Sequence, residues 1–286
     1  MSGINPEQGY AGTEPKKEKA STKETKTIDF NQFHTEIVDL PSKGKLYDEE
    51  NPLSSGKVEL KYMTAKEEDM LTSQNLIKQG VVIDKLLKEL IVSNGEGKDV
   101  PYHKMLIGDK NAVMVAARVL AYGKDYVTEM QDPFSPNSSK QEVHIDLLKL
   151  EDKEIDEDLW EDGNLFVFTL PASKHVIEFS LLTHGDETRL GHELKALKKS
   201  KRDYDPELTI RFRNMIKSVD GVTDPRQISK FVDNMLSRDT LELRKFINKV
   251  TPDLDMRFLF ESEETGEERW MTIPMGVSFF WPGVEL

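Results

Sequence analysis

The sequence predicts an α+β fold in which helices outweigh strands and three or more β-hairpins are present. Three observations predict it: apolar residues recurring at helical spacing, period-two alternation bounded by turn residues, and helix-start signals of the Thr-x-x-Glu and Asp-Pro kinds.

Taken in order, Ile28, Phe30, Phe33, Ile37 and Leu40 begin the ordered chain, followed by the turn Leu40-Pro41-Ser42-Lys43-Gly44. Val58, Leu60 and Tyr62 alternate with lysines and Glu59, the signature of a half-buried strand. Thr64 and Glu67 have capping-box spacing, and the helix they open can run to Gly80. Ile83, Leu86, Leu87, Leu90 and Ile91 form the stripe of a second helix. Asp109 can cap a third, with Val113, Ala116, Ala117 and Leu120 inward and Gly123 at its end.

A hairpin with a long loop follows, from Tyr126, Val127 and Met130 through the Asp132 to Ser139 turn region to Val143, Ile145 and Leu147. Residues 165–170 and 176–182 read as a second hairpin. Helices then follow on Leu190, Leu194 and Leu197, on Leu208, Phe212, Met215, Ile216 and Val219, on Ile228, Phe231, Val232, Met235 and Leu236, and on Leu243, Phe246, Ile247 and Val250. Asp205-Pro206 and Asp224-Pro225 are start signals for two of them. A last hairpin turns at Glu264-Thr265-Gly266.

This places a solvated arm at residues 1–27, an α+β domain at 28–150, an acidic linker at 151–163 and a second α+β domain at 164–286. The two halves echo each other in element order, without a residue-level repeat. From Glu151 to Asp162 eight carboxylates meet one lysine, the composition of a solvated face.

A net charge of -13 and a pI near 5.1 argue against nucleic-acid binding and favour protein partners. The absence of cysteine excludes disulfides, thiol nucleophiles and thiolate metal sites. The apolar run Ala112 to Ala117 falls far below the ~20 residues of a membrane helix, and the N-terminus has no hydrophobic segment of a signal or anchor.

Catalytic motifs are incomplete. His192-Glu193 lacks the second histidine of a zinc helix, because position 196 is alanine. Asp158, Asp162 and Gly163 fail as a calcium loop, with Trp160 at the third ligand position. Gly95-Glu96-Gly97-Lys98 is too short for a phosphate loop. No catalytic residue, metal or cofactor is expected, although a pocket holding two carboxylates of shifted pKa would argue for an enzyme.

Two features suit partner binding. Lys195, Lys198, Lys199, Lys201 and Arg202, extended by Arg211 and Arg213, form a basic cluster that could grip nucleic acid or an acidic partner, or complement a helix C-terminus. Phe279, Phe280 and Trp281 lie near the chain end, and they either complete the protein's own core or anchor it to a partner.

Leu40-Pro41-Ser42-Lys43-Gly44, Met63 to Asp69, Gly108-Asp109-Lys110-Asn111, Val219-Asp220-Gly221 and Phe279-Phe280-Trp281-Pro282 occur in an order that resembles the T4-type baseplate hub assembly proteins of contractile-tailed phages. The resemblance spans residues 36 to 282. It implies a non-enzymatic role in building the baseplate hub, as a chaperone or tail component, in the host cytoplasm during assembly or in the virion tail. Other baseplate or hub proteins are its implied partners, with no small-molecule substrate or membrane. Relatives often carry cysteine pairs at two hairpin tips, which suggests metal-stabilised knuckles; Asp132-Pro133-Phe134-Ser135 and Phe260-Glu261-Ser262-Glu263 stand there in this chain.

Overall fold

The computed structural model describes residues 34–135, 140–160, 163–198 and 206–280. The expected arm at residues 1–27, with Ile28, Phe30 and Phe33, lies outside them, as does Asp205. The fold is α+β, as the sequence predicts.

The first element among the described residues is β1 (Thr35–Asp39), which pairs antiparallel with β2 (Lys57–Lys61). Alternation holds in β2: Val58 and Leu60 are fully buried, whereas Lys57 is exposed and Glu59 and Lys61 are half-buried. The connecting turn needs Gly44, because its φ is 76° and a Cβ there would lie 2.2 Å from the Ser54 carbonyl oxygen.

The helix expected from Thr64 to Gly80 is two helices, α1 (Ala65–Leu71) and α2 (Gln74–Gln79). The break falls at Thr72-Ser73, where the Thr72 hydroxyl donates to the Asp69 carbonyl and Ser73 starts the next helix. The capping box is present, with the Glu67 carboxylate accepting from Thr64 N–H and hydroxyl. The next helix, α3 (Val82–Leu90), passes directly into β3 (Ile91–Ser93), the third strand of the β1-β2-β3 sheet.

The third expected helix, α4 (Ile107–Tyr122), starts earlier than its predicted cap. Asp109 sits at its third residue, fully buried, and its side chain does not cap α4. It accepts instead from the Ser42 N–H at 2.9 Å and from the Tyr47 hydroxyl. Of the expected inner face, Val113 and Ala117 are buried, while Ala116 and Leu120 are half-buried. Then β4 (Asp125–Met130) and β5 (Gln141–Asp146) form the long-looped hairpin.

The second half opens with β6 (Phe166–Thr169) and β7 (Val176–Phe179), followed by α5 (His184–Lys198) and α6 (Glu207–Met215). Ile216 and Val219 do not extend α6; they belong to β8 (Ile216–Val219), which pairs with β7. Their i,i+3 spacing fits a helix, but β-branched residues also suit a pleated surface, and pairing with β7 decides between the two. Next come α7 (Pro225–Asp233), with Asp224 accepting from Arg226 N–H, α8 (Ser237–Val250), and the hairpin of β9 (Arg257–Glu261) and β10 (Glu268–Thr272). Leu236, expected inward, is 53% exposed, because α7 ends before it and it precedes the first residue of α8. Phe231, also expected in the core, is half-buried.

The structure goes beyond similar element order. In each half a Leu-Pro turn, starting at Leu40 or Leu170, links the first two strands; a helix runs straight into the third; and a later helix leads to a hairpin. Asp239, fully buried at the third residue of α8, accepts from the N–H groups of Ala172 and Ser173, as Asp109 does from Ser42. Ser93 donates to Glu59 across β2 and β3, and Ser218 donates to Glu178 across β7 and β8. Thr183 and Asp186 repeat the box of Thr64 and Glu67. The sequence hides this repeat because the offset between equivalent residues changes along the chain, 119 for Thr64 and Thr183 against 130 for Asp109 and Asp239, and few residues are identical.

Apolar side chains gather in two clusters. One joins β2, α3 and α4 to the β9–β10 hairpin and to Phe279 and Phe280; the other joins β6, β7, α6, α7 and α8. The acidic stretch is tied to the second half by Lys153 N–H to the Asp253 carbonyl and Asp156 N–H to that of Lys249, while Glu157 pairs with Lys43 and Lys45.

The two hairpin tips meet. Buried Ser262 donates to buried Asp132, which also accepts from the N–H groups of Phe134 and Ser135. This donor set, one carboxylate and one hydroxyl bonded to each other, does not fit a metal knuckle. We expect Ser262→Ala to lower the urea midpoint, and to lower it less in an Asp132→Ala background, because both changes remove the Ser262–Asp132 bond. Full additivity in a double-mutant cycle would contradict the contact.

Candidate interaction site

The residues singled out at the chain end form a short 3-10 turn, Val277–Phe280. Phe279 and Phe280 are fully buried, edge-on to one another at 5.3 Å, and Phe279 meets the Tyr126 ring edge-on at 4.9 Å. Arg118 of α4, only 2% exposed, donates from Nε to the Phe279 carbonyl at 2.8 Å. Both phenylalanines therefore sit in the protein's own core, the first of the two readings given above. Trp281 lies outside the described residues.

Of the basic cluster, Lys195 is exposed on α5, and Lys198 closes that helix. The Lys198 side chain and Lys199, Lys201 and Arg202 lie outside the described residues. Arg211 and Arg213 are not free cations: Arg211 pairs with Glu187 and Glu207, and Arg213 with Asp233.

A surface that the motifs did not mark is the outer face of the β9–β10 ribbon. Trp270 and Leu259 face each other across the strands and are 63% and 46% exposed. Arg257 lies over the Trp270 ring, 5.8 Å from its centroid, and is held by Asp255; this bond keeps the Arg257 guanidinium above its ordinary pKa. Glu261 and Glu268 pair on the same face at the tip side. Strand alternation could have found this face, since Leu259 and Trp270 fall opposite in phase to buried Phe260. An exposed aromatic beside an arginine is the composition of an interface anchor.

A concavity of about 330 Å³ opens between α5, α6 and α8. Its apolar walls include Leu106, Leu181, Leu182, Leu208, Phe212 and Ile247, and its charged groups are Glu187, Arg211 and Arg244. Arg244 has no ion-pair partner among the described residues. A more polar recess of about 490 Å³ is lined by Asp48, Glu49, Glu50, Asp99 and Lys104. Among the described residues, no group of three His, Asp or Glu side chains could hold a metal ion.

Among the described residues, two carboxylates have raised pKa. Burial pushes Asp109 up, and the charge of Asp253 adds to it; burial likewise pushes Asp253 up. Neither lines either concavity. Their oxygens are occupied by Ser42 N–H, the Tyr47 hydroxyl, the Asn111 amide and Leu254 N–H. These contacts join separate stretches of chain. Beside them, Lys110 bonds Asp84 at 2.8 Å; burial pushes the Asp84 carboxyl up, but Lys110, His184 and the Tyr102 hydroxyl outweigh it and leave it below its ordinary value.

The motifs thus converge on architecture. Gly108-Asp109-Lys110-Asn111 holds the Leu40 to Gly44 turn and Asp253, and Asp220 of the Val219-Asp220-Gly221 turn accepts from Val176 N–H at 2.8 Å. No helix among the described residues is long and apolar enough to cross a membrane. No curated protein and no solved structure matches the chain significantly. A family model described as T4 bacteriophage base plate protein matches residues 32–281, nearly the whole chain. The chain therefore belongs to the T4 bacteriophage base plate protein family.

Proposed function

We propose that this baseplate protein works in assembly of the central hub by binding other baseplate proteins in the host cytoplasm, without catalysis and without a small-molecule substrate. The observation that carries the reading is the exposed Trp270–Leu259 pair with Arg257 beside it, on a ribbon face that, among the described residues, belongs to neither apolar cluster. An aromatic–aliphatic pair left in water forgoes about 1.5–3 kcal/mol per side chain that a partner would recover.

The test is a pull-down from infected cells with the full chain, followed by a search for it in purified virions. Recovery with hub intermediates but not with finished tails supports an assembly factor. Stoichiometric presence in finished tails supports an integral subunit instead. Trp270→Ser together with Leu259→Ser is expected to leave folding stability within about 0.5 kcal/mol, as for exposed sites, yet to reduce recovery of hub proteins at least tenfold. Unchanged recovery would show that the ribbon is not the contact.

A further inference from the structure

The repeat sets two grooves in correspondence, one along α4 and one along α8. Leu40 and Leu170, Asp109 and Asp239, and Asp132 and Ser262 are equivalent, each pair 130 residues apart. Carried along the helices, that register matches Met114, Ala117 and Arg118 of α4 with Arg244, Ile247 and Asn248 of α8. The α4 groove is filled: Phe279 and Phe280 pack in one cluster with Val113, Met114 and Ala117, and Arg118 grips the Phe279 carbonyl. The matching groove along α8 is the open concavity of about 330 Å³, which Arg244, Ile247 and Asn248 line.

We propose that the α8 groove receives a short aromatic segment of a partner protein, seated as Val277–Phe280 is seated along α4, with a carboxylate of that segment on Arg244. The proposal rests on the reading that this protein acts by binding partners. Three observations define the occupant. The walls are largely apolar, and Leu208 at the rim is 40% exposed, so an apolar side chain gains by entering. The filled copy of the groove holds aromatic rings, which sets the shape. Where α4 has buried Met114, α8 has Arg244, an exposed cation without an ion-pair partner among the described residues; Arg211 is already neutralised by Glu187 and Glu207. In a chain of net charge -13 this arginine at an apolar mouth selects an acidic neighbour for the incoming ring.

The test uses the full chain, methyl-labelled for NMR, and three N-acetylated peptide amides: Val-Ser-Phe-Phe-Glu, Val-Ser-Ala-Ala-Glu and Val-Ser-Phe-Phe-Lys. The first is expected to shift the methyl signals of Leu182, Leu208, Met215 and Ile247. The second should bind at least tenfold more weakly and the third at least fivefold more weakly. Arg244→Glu, an exposed change, should reverse the preference between the first and third, and Leu208→Asp should abolish both. Equal binding of all three peptides, or shifts confined to other methyls, overturns the proposal. A concentration-dependent dimer that Arg244→Glu dissociates would also overturn it, assigning the groove to a second copy. Hub proteins still captured by a Leu208→Asp chain would sink the groove while leaving the functional reading intact; loss of all capture by the unmodified chain would sink that reading.

Discussion

Replacing Gly108 by alanine is expected to destabilise the protein by about 3 kcal/mol or more, although the same change inside most helices stabilises. A Cβ at Gly108 would lie 1.8 Å from the Pro252 carbonyl oxygen, 2.7 Å from its carbonyl carbon and 2.8 Å from the Asp253 Cα. All three are backbone atoms, so no rotamer change relieves the overlap. The α4 helix would have to move off the chain that follows α8, pulling on the Asn111–Asp253 bonds of 3.0 and 3.3 Å and on Lys153 N–H to the Asp253 carbonyl. At roughly 2–4 °C per kcal/mol for a chain of this size, the melting temperature should fall by about 6–12 °C. Gly191 is the control: nothing lies within 4 Å of its Cβ position in α5, so Gly191→Ala should stabilise by about 0.5–1 kcal/mol. If the two variants melt alike, α4 does not approach Pro252 as described.

That contrast marks what the sequence could tell. Local signals read correctly, because their partners are a few residues away: the Thr64–Glu67 box, the Asp224-Pro225 start, and the hairpin turn with Gly266 at φ 67°. Gly108 carried no such signal, since its reason is a backbone in the other half of the chain. Asp109 was misread for the same cause: it looks like a cap, yet its partners Ser42 and Tyr47 lie more than sixty residues away. Ile216 and Val219 went to a strand because β7 was there to pair with them. The α8 groove was invisible as well, because it is defined by correspondence with a groove that only the folded chain fills.

The remaining large effect is expected at Asp109. Asp109→Ala leaves the Ser42 N–H and the Tyr47 hydroxyl without acceptors inside the protein, and Tyr47 in turn holds the Leu106 N–H at 2.9 Å. At about 1–3 kcal/mol for each unsatisfied buried donor, the loss should be roughly 2–6 kcal/mol in urea unfolding. Asp109→Asn separates the hydrogen bonds from the charge. Burial and the nearby Asp253 raise the Asp109 pKa in the folded protein, so the folded state holds its proton to higher pH than the unfolded chain does. The stabilisation from that proton is complete below the unfolded value of about 3.9 and is lost as pH rises through the folded value. Asparagine cannot titrate, and the other carboxylates largely cancel in the comparison. The advantage of the unmodified protein over Asp109→Asn should therefore shrink as pH is raised from about 4 towards neutrality. An advantage that grows with pH instead would mean that the buried carboxylate is held as an anion, and that Ser42 and Tyr47 stabilise its charge rather than tolerate it.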